Sequence, residues 1–198
     1  MYMLSLAFAL FLLMDPIGNV PLFISVLKEI KPKRQRVVIF RELFIALCII
    51  ILFNFLGSGL MHFLHIHHDT IQIAGGIILF LLCLRMIFPN AKDPREGPLP
   101  DAEPFIVPLA VPLVAGPAVL AAVMIYSQQA PNAWVMLGAI LIAWSASLLI
   151  LLSSSLLQSV LGRRGILALE RLMGLILILI AVEMFTSGLS AFMSRQHV

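Results

Sequence analysis

From Pro104 to Gly162 the chain runs for 59 residues without a single Lys, Arg, Asp or Glu. As helix, at about 1.5 Å per residue, that stretch is far longer than one crossing of a hydrocarbon core roughly 30 Å thick. A water-soluble fold has no place for such a run, because every helix it surfaces must present charge to solvent. The remaining sequence agrees. Hydrophobic residues make up 61% of the 198 and charged residues 12%, against about 45–50% and 25% in an average globular chain. Mean hydropathy is +1.07. The chain therefore reads as a polytopic membrane protein. Because backbone groups in lipid must be satisfied within the spanning element, the expected class is all-α. Soluble enzyme classes drop out at this step.

Six segments are long and apolar enough to cross: about 4–27, 38–60, 70–88, 104–127, 132–157 and 168–190. Between them lie a basic loop from Lys28 to Arg36, a Pro-rich linker over 89–103, an uncharged turn from Ser127 to Asn132, and Gly162-Arg163-Arg164-Gly165. Prolines at 89, 94, 98 and 100 exclude regular helix from the linker. One integral membrane domain, 1–198, is expected. Eleven basic residues (Lys28, Lys31, Lys33, Arg34, Arg36, Arg41, Lys92, Arg95, Arg163, Arg164 and Arg171) fall in or beside the first, third and fifth loops, whereas Arg195 stands alone on the other side. The positive-inside rule then puts the loops in the cytoplasm and both termini outside. The net charge of +3 is thus a topology signal, and nucleic acid is not an expected partner. Cys48 and Cys83 both fall inside spans, so neither a disulfide framework nor a cysteine metal site is expected.

The third and sixth spans resemble each other. Gly76 to Met86 aligns with Gly174 to Met184, with the glycine, Ile-Leu, Leu and Met matching and a charge (Arg85, Glu183) at the same place. The first and fourth spans correspond too: Pro16 and Pro21 are five apart, as are Pro112 and Pro117, and Gly18 and Gly116 accompany them. A duplicated three-span unit must be inverted, because three is odd. The expectation is two inverted three-helix repeats, about 1–88 and 104–198, joined by the cytoplasmic linker, with spans 1 and 4 broken at Pro and Gly. This is a plan common among secondary transporters.

Proline inside a helix removes a hydrogen bond, and in hydrocarbon the freed groups must find protein or water. Two interrupted spans at corresponding positions point to a midplane site. Span 1 runs inward and span 4 outward, so two half-helix N-termini would face each other, each suited to an anion. Asp15 before Pro16 is a standard helix start. It either only caps that half-helix or holds a substrate ammonium, Na⁺ or H⁺. Asn19 adds an amide one turn on. The expected substrate-binding set is Asp15, Pro16, Gly18, Asn19, Pro21, Pro112, Gly116 and Pro117.

The segments Asp15-Pro16-Ile17-Gly18-Asn19-Val20-Pro21, Pro108 to Pro117 and Glu170 to Leu177 together resemble the MarC family of multi-spanning bacterial inner-membrane proteins. The resemblance covers essentially the whole chain. It implies six spans in the bacterial cytoplasmic membrane and a distant similarity to LysE-type exporters. One archaeal branch of the family is described as a sodium-coupled neutral amino-acid transporter, which agrees with the site read from the residues.

Glu183 lies about 12 residues, or roughly 18 Å of helix, beyond Arg171. Too short to reach the interface, it is expected to face the bundle or a wet cavity, pairing with a polar neighbour or coupling to a proton or ion. Arg85 is expected to snorkel, and Asn54 to bond between helices. Ser153, Ser154 and Ser155 should bond their own helix carbonyls. His62, His65, His67, His68 and Asp69 cluster in an external loop without a fixed zinc pattern, so no metal is expected. There is no P-loop, Gly-x-Ser-x-Gly elbow or His-Glu-x-x-His pair, and no enzymatic activity or bound cofactor is expected. The leading reading is a secondary transporter or exporter of a small solute, best an amino acid, with Na⁺ or H⁺ coupling through Asp15 or Glu183. The alternatives are a lipid-linked phosphate handler or flippase, and a regulatory membrane partner. The lipid bilayer and the solute are the expected partners, with a homo-oligomer left open.

Overall fold

The computed structural model describes residues 2–27, 30, 32–88 and 114–196. Its elements are α1 (Tyr2–Met14), α2 (Pro16–Leu27), α3 (Pro32–Phe63), α4 (His68–Ile87), α5 (Pro117–Gln129), α6 (Ala133–Leu152) and α7 (Ser154–Gln196). Five stretches among the described residues are long and apolar enough to span a membrane: Tyr2–Ile24, Arg34–Phe63, His68–Ile87, Ala133–Leu152 and Arg164–Arg195. The molecule is an all-helical polytopic membrane protein. The linker 89–103 and the first half of the expected fourth span, including Pro112, lie outside the described residues, and α5 is the part of that span that can be placed.

The broken first span is present. α1 and α2 are consecutive helices separated by Asp15 alone. The break expected near Gly162 is also present: this glycine has φ 63° and ψ 175° inside α7, a conformation open to glycine because it lacks Cβ. The Ser127–Asn132 turn closes as anticipated, with α6 capped by Asn132 Oδ1 accepting from Val135 N at 2.9 Å. Several boundaries differ. α6 stops at Leu152, before residue 157, because the chain leaves helix at Ser153. α3 begins at Pro32, so Lys33, Arg34, Arg36 and Arg41 are helical and not in a loop. Arg163, Arg164 and Arg171 lie inside α7, which runs on both sides of Gly162.

The ends of the bundle can be matched from contacts between helices. Tyr2 Oη donates to Gln129 O at 3.2 Å, His68 Nε2 meets Gln128 Oε1, and Arg195 reaches Asp69 at 3.1 Å. One end therefore gathers the start of α1, the α3–α4 turn, the end of α5 and the end of α7. At the other, Gln35 Nε2 donates to Leu27 O and Ile30 O at 2.8 Å, tying α3 to α2.

The central pair is α4 against α7, antiparallel over its whole length. Small residues let the backbones close. A Cβ on Gly76 would lie 2.8 Å from Ala181 O, and one on Gly188 would lie 3.0 Å from Asp69 O. Close small-residue packing of this kind drives helix association where lipid removes the hydrophobic incentive. Around this pair, α2 packs on α7 and on α6, α5 on α4 and on α3, α1 on α6, and α3 on α6. Trp144 Nε1 donates to Leu43 O at 2.8 Å and joins the last of these contacts.

Candidate functional site at the helix break

α1 ends because Pro16 has no N–H to continue the ladder. Asp15 then takes φ 42°, the left-handed region that Asp and Asn enter most readily among residues with a Cβ. Its N–H is shared between Phe11 O and Leu12 O, at 3.2 and 3.0 Å. Its side chain turns to the next helix, where Oδ1 accepts from Gly18 N at 3.1 Å. One residue thus terminates α1 and caps α2, with Pro16 in the first helical position where its missing donor costs nothing. Asn19 Nδ2 donates to Met14 O at 3.1 Å, filling a carbonyl that the break leaves open.

This arrangement changes what the residues do. The expected anion seat at the α2 N-terminus is occupied by the carboxylate of Asp15 itself. Gly18 N is spent on that cap, and the Asn19 amide N–H is spent on the break. Gly18 is glycine for a different reason than solute approach: a Cβ there would lie 2.1 Å from Asp15 Oδ2 and 2.5 Å from Met86 Cε. Pro21 sits inside α2 without breaking it.

Asp15 is 7% exposed. Of the other acidic groups, Glu170 of α7 is near enough to couple to it electrostatically. Among the described residues no Lys or Arg forms an ion pair with Asp15.

The second break lies at Gly116-Pro117. Gly116 is the N-cap of α5, extended at φ −68° and ψ 161°, Pro117 opens the helix, and no side chain caps it. Val114 and Ala115 before it, and Ala118 and Val119 after it, are buried. Its depth follows from the α4–α5 register. His68 meets Gln128, and a Cβ on Gly75 would touch Ala121 Cβ at 3.0 Å. One further helical turn sets Pro117 level with Leu79. At the first break, a Cβ on Gly18 would lie 2.5 Å from Met86 Cε, seven residues further along α4. The two breaks thus lie within about two turns of each other in depth.

Glu183 is not part of this site. It is exposed on the outside of α7, held by Ser187 Oγ, which donates to Oε1 at 3.2 Å. The expectation that it faces the bundle fails for a geometric reason. Ala181 and Met184 are the inward residues of that turn, and at about 100° per residue Glu183 must point away from them. It also lies 13 residues beyond Glu170, about 20 Å along the helix.

The sequence pattern assigns no role to Glu42, and gives Glu170 only as part of a motif and Asp69 only as part of the external His-Asp cluster. Glu42 is 0% exposed; Arg41 Nη2 donates to its Oε1 at 2.9 Å, while Oε2 has no hydrogen-bond partner. The signal for Glu42 was an Arg-Glu pair inside an apolar span. Asp69 is buried and ion-paired to Arg195, which divides the His-Asp cluster of the external turn. Asn54 is buried, but its Oδ1 finds no partner, contrary to the expected interhelical bond. Beyond the far end of α2, Phe23, Leu27, Gln35, Ser154 and Gln158 line a cavity of about 290 Å³.

The pattern described as "MarC family integral membrane protein" matches residues 1–193. The chain belongs to the MarC family. Among its relatives, the UPF0056 inner membrane protein YhgN of Escherichia coli (strain K12) is 50% identical over 191 residues, covering 96% of this chain and 97% of that protein. A UPF0056 membrane protein of Buchnera aphidicola subsp. Baizongia pistaciae is 43% identical over 96% of each chain. Another, from Chlamydia pneumoniae, is 35% identical over 95% of this chain and 94% of its own. No solved structure matches.

Proposed function

We propose that this MarC-family protein is a secondary transporter of the cytoplasmic membrane that moves a small amino-acid-like solute, and that it is a carrier and not an enzyme. The observation that carries the reading is Asp15: a buried carboxylate at the junction of two half-helices, ion-paired to no Lys or Arg among the described residues. A buried acid without a counter-cation within a span is the usual mark of a cation, ammonium or proton site. The uncapped N-terminus of α5, within about two turns of it in depth, offers backbone donors to a carboxylate. Together the two breaks suit a zwitterion. Na⁺ or H⁺ is the coupling ion, held at Asp15.

A six-span inverted-repeat plan is part of this reading. The contact of α2 with α7 mirrors that of α5 with α4, and the contact of α2 with α6 mirrors that of α5 with α3. A cavity beside the C-terminal half of α2, lined in part by Gln35, Ser154 and Gln158, lies at the end of the bundle where α2 meets α3. The charge asymmetry orients that end to the cytoplasm and both termini outward. A C-terminal reporter active only in the cytoplasm overturns the orientation. A relative named as an inner membrane protein agrees with the membrane assigned.

The test is thermal stabilisation of the purified protein by amino acids, with and without Na⁺. Stabilisation should appear in the native protein and vanish in Asp15→Asn. Asn caps helices as well as Asp, so the variant keeps its own melting temperature. Unaltered ligand stabilisation in Asp15→Asn removes Asp15 from the site.

A further inference from the structure

The cavity at the end of the bundle where α2 meets α3 measures about 290 Å³, room for roughly ten water-sized groups at about 30 Å³ each. Phe23 and Leu27 of α2, both buried, wall it together with Gln35 of α3 and Ser154, Ser155 and Gln158 of α7. Gln35 is the second residue of the span Arg34–Phe63, and Ser154 lies just past the end of the span Ala133–Leu152. The cavity is therefore level with the lipid headgroups, where water and headgroups both reach. None of its described lining residues is charged.

Its polar groups have no partners in the protein. Ser127, Ser147 and Ser159 each donate to a carbonyl three or four residues back, at 2.9, 2.8 and 2.7 Å, the usual use of a hydroxyl inside a helix. Ser154 and Ser155 form no such bond among the described residues, contrary to the expectation for this serine run. The kink between α6 and α7 explains Ser154: Ile150 O and Leu151 O, the carbonyls within its reach, already accept from Ser153 N. Yet Ser154 is only 6% exposed, and a buried hydroxyl ordinarily finds a partner. Gln35 spends its Nε2 on Leu27 O and Ile30 O. Among the described residues its Oε1 receives no donor, and the Gln158 amide is likewise unbonded.

We propose that this cavity is a binding site for a small uncharged molecule rich in hydroxyl groups, a sugar or similar polyol of roughly ten heavy atoms. Hydroxyls both donate and accept, so they answer a wall that mixes serine hydroxyls, amide N–H groups and amide oxygens. Phe23 and Leu27 meet the C–H face of the ligand, while the few polar groups orient it. An ionised ligand is disfavoured, because its charge would be buried with no counter-charge on the wall. The site is separate from the helix break: Phe23 follows Asp15 by about 12 Å of helix, and neither Asp15 nor the α5 terminus takes part. At headgroup depth two sources offer the same chemistry, a dissolved sugar and the headgroup of a glycolipid.

The experiment places the full chain in phosphatidylcholine nanodiscs and follows saturation transfer to methyl glucoside by ligand-observed NMR, with empty nanodiscs as the blank. Transfer should saturate with concentration, and should be absent for the anionic glucuronate and the cationic 6-amino-6-deoxyglucose. Ser154→Ala should weaken binding by about tenfold, the scale of one lost hydrogen bond. It should leave the melting temperature unchanged, since no described protein group uses that hydroxyl. Ser154→Leu, which fills the cavity, should abolish binding. Ser159→Ala, whose hydroxyl donates to Leu156 O outside the cavity, should bind as the native chain does. So should Asp15→Asn, which separates this site from the one at the helix break. Glucosyl diacylglycerol added to the discs distinguishes the sources: displacement of methyl glucoside assigns a lipid headgroup, and no displacement assigns a dissolved sugar. Absence of saturable transfer to methyl glucoside, or equal transfer to its charged counterparts, overturns the proposal and leaves the cavity to water. So does a Ser154→Ala variant that binds as well as the native chain.

Discussion

Replacing Gly18 with alanine should reverse the usual sign of a Gly→Ala change in a helix. In a helix interior that change ordinarily stabilises by roughly 0.5–1 kcal/mol, because glycine loses more backbone freedom on folding. At Gly18 the added Cβ would lie 2.1 Å from Asp15 Oδ2 and 2.8 Å from Asp15 Cγ, so the carboxylate must leave. Moving the flexible end of Met86, at 2.5 Å, does not relieve that overlap. Departure of the carboxylate removes the cap on α2, worth about 1 kcal/mol. It also leaves a buried acceptor short of a donor, at about 1–3 kcal/mol. Set against the helix gain, the net loss is about 1–3 kcal/mol, or roughly 5 °C in melting temperature for a chain of this size. Gly59 is the internal control. It lies in α3 with nothing within 4 Å of its would-be Cβ, so Gly59→Ala should raise the melting temperature slightly. Adding Asp15→Gly to Gly18→Ala should recover part of the loss, since glycine accepts φ 42° and the displaced carboxylate is gone. The assay is thermal unfolding of the purified protein in detergent, followed by circular dichroism. Gly18→Ala as stable as Gly59→Ala would refute the placement of the Asp15 carboxylate.

The two prolines should differ in consequence. Pro16→Ala should leave the first break intact and stability nearly unchanged, because Asp15 and Asn19 hold it independently. Pro117→Ala, at a break no side chain caps, should extend helix backwards and abolish solute stabilisation; the ligand-induced thermal shift of each variant checks both. Arg195→Gln should destabilise by about 1–2 kcal/mol in the same melting assay. It strands the buried Asp69 carboxylate, and the half-exposed arginine keeps the loss below that of a fully buried pair. Asp69→Asn together with Arg195→Gln should be milder than Arg195→Gln alone.

The position of the first break was legible because Asp15-Pro16 states both the stop of one helix and the cap of the next in adjacent residues. What the cap consumes was not legible. That Gly18 N and the Asn19 amide are committed to closing the break depends on Asp15 adopting φ 42°, a choice the tertiary setting makes. Glu183 was misdirected for a reason particular to membranes. In water an apolar stripe marks the inner face of a helix, but α7 is apolar toward lipid and toward protein, so hydrophobic periodicity carries no direction. Small residues do carry it. Gly174, Ala181 and Gly188, seven apart, mark the face against α4 and leave Glu183 on the other side. Glu42 was hidden by its neighbour: next to Arg41 it reads as the end of a charged loop, whereas α3 begins ten residues earlier, at Pro32.

The two breaks correspond in sequence yet differ chemically, and that difference yields a prediction about the solute. At the first, the Asp15 carboxyl already occupies the positive end of α2, so that end has no place for an anion. At the second, Gly116 offers no side chain and α5 keeps its partial positive end. A ligand bridging them under the transport reading needs an ammonium toward Asp15 and a carboxylate toward Ala118 and Val119. Removing either charge from the solute should therefore weaken binding, with different partners answering. An N-acetyl amino acid loses the ammonium and should fail on native protein. An amino-acid amide keeps the ammonium and loses the carboxylate, and should bind at least about tenfold more weakly, the scale of one charge-assisted hydrogen bond. In Asp15→Asn the penalty for N-acetylation should shrink, since the group that reads the ammonium is gone, while the penalty for amidation should persist. Calorimetric titration of the three ligands on the two proteins measures this. An N-acetyl derivative that binds as well as its parent would exclude an ammonium site at Asp15, and leave the carboxylate there as a cap alone.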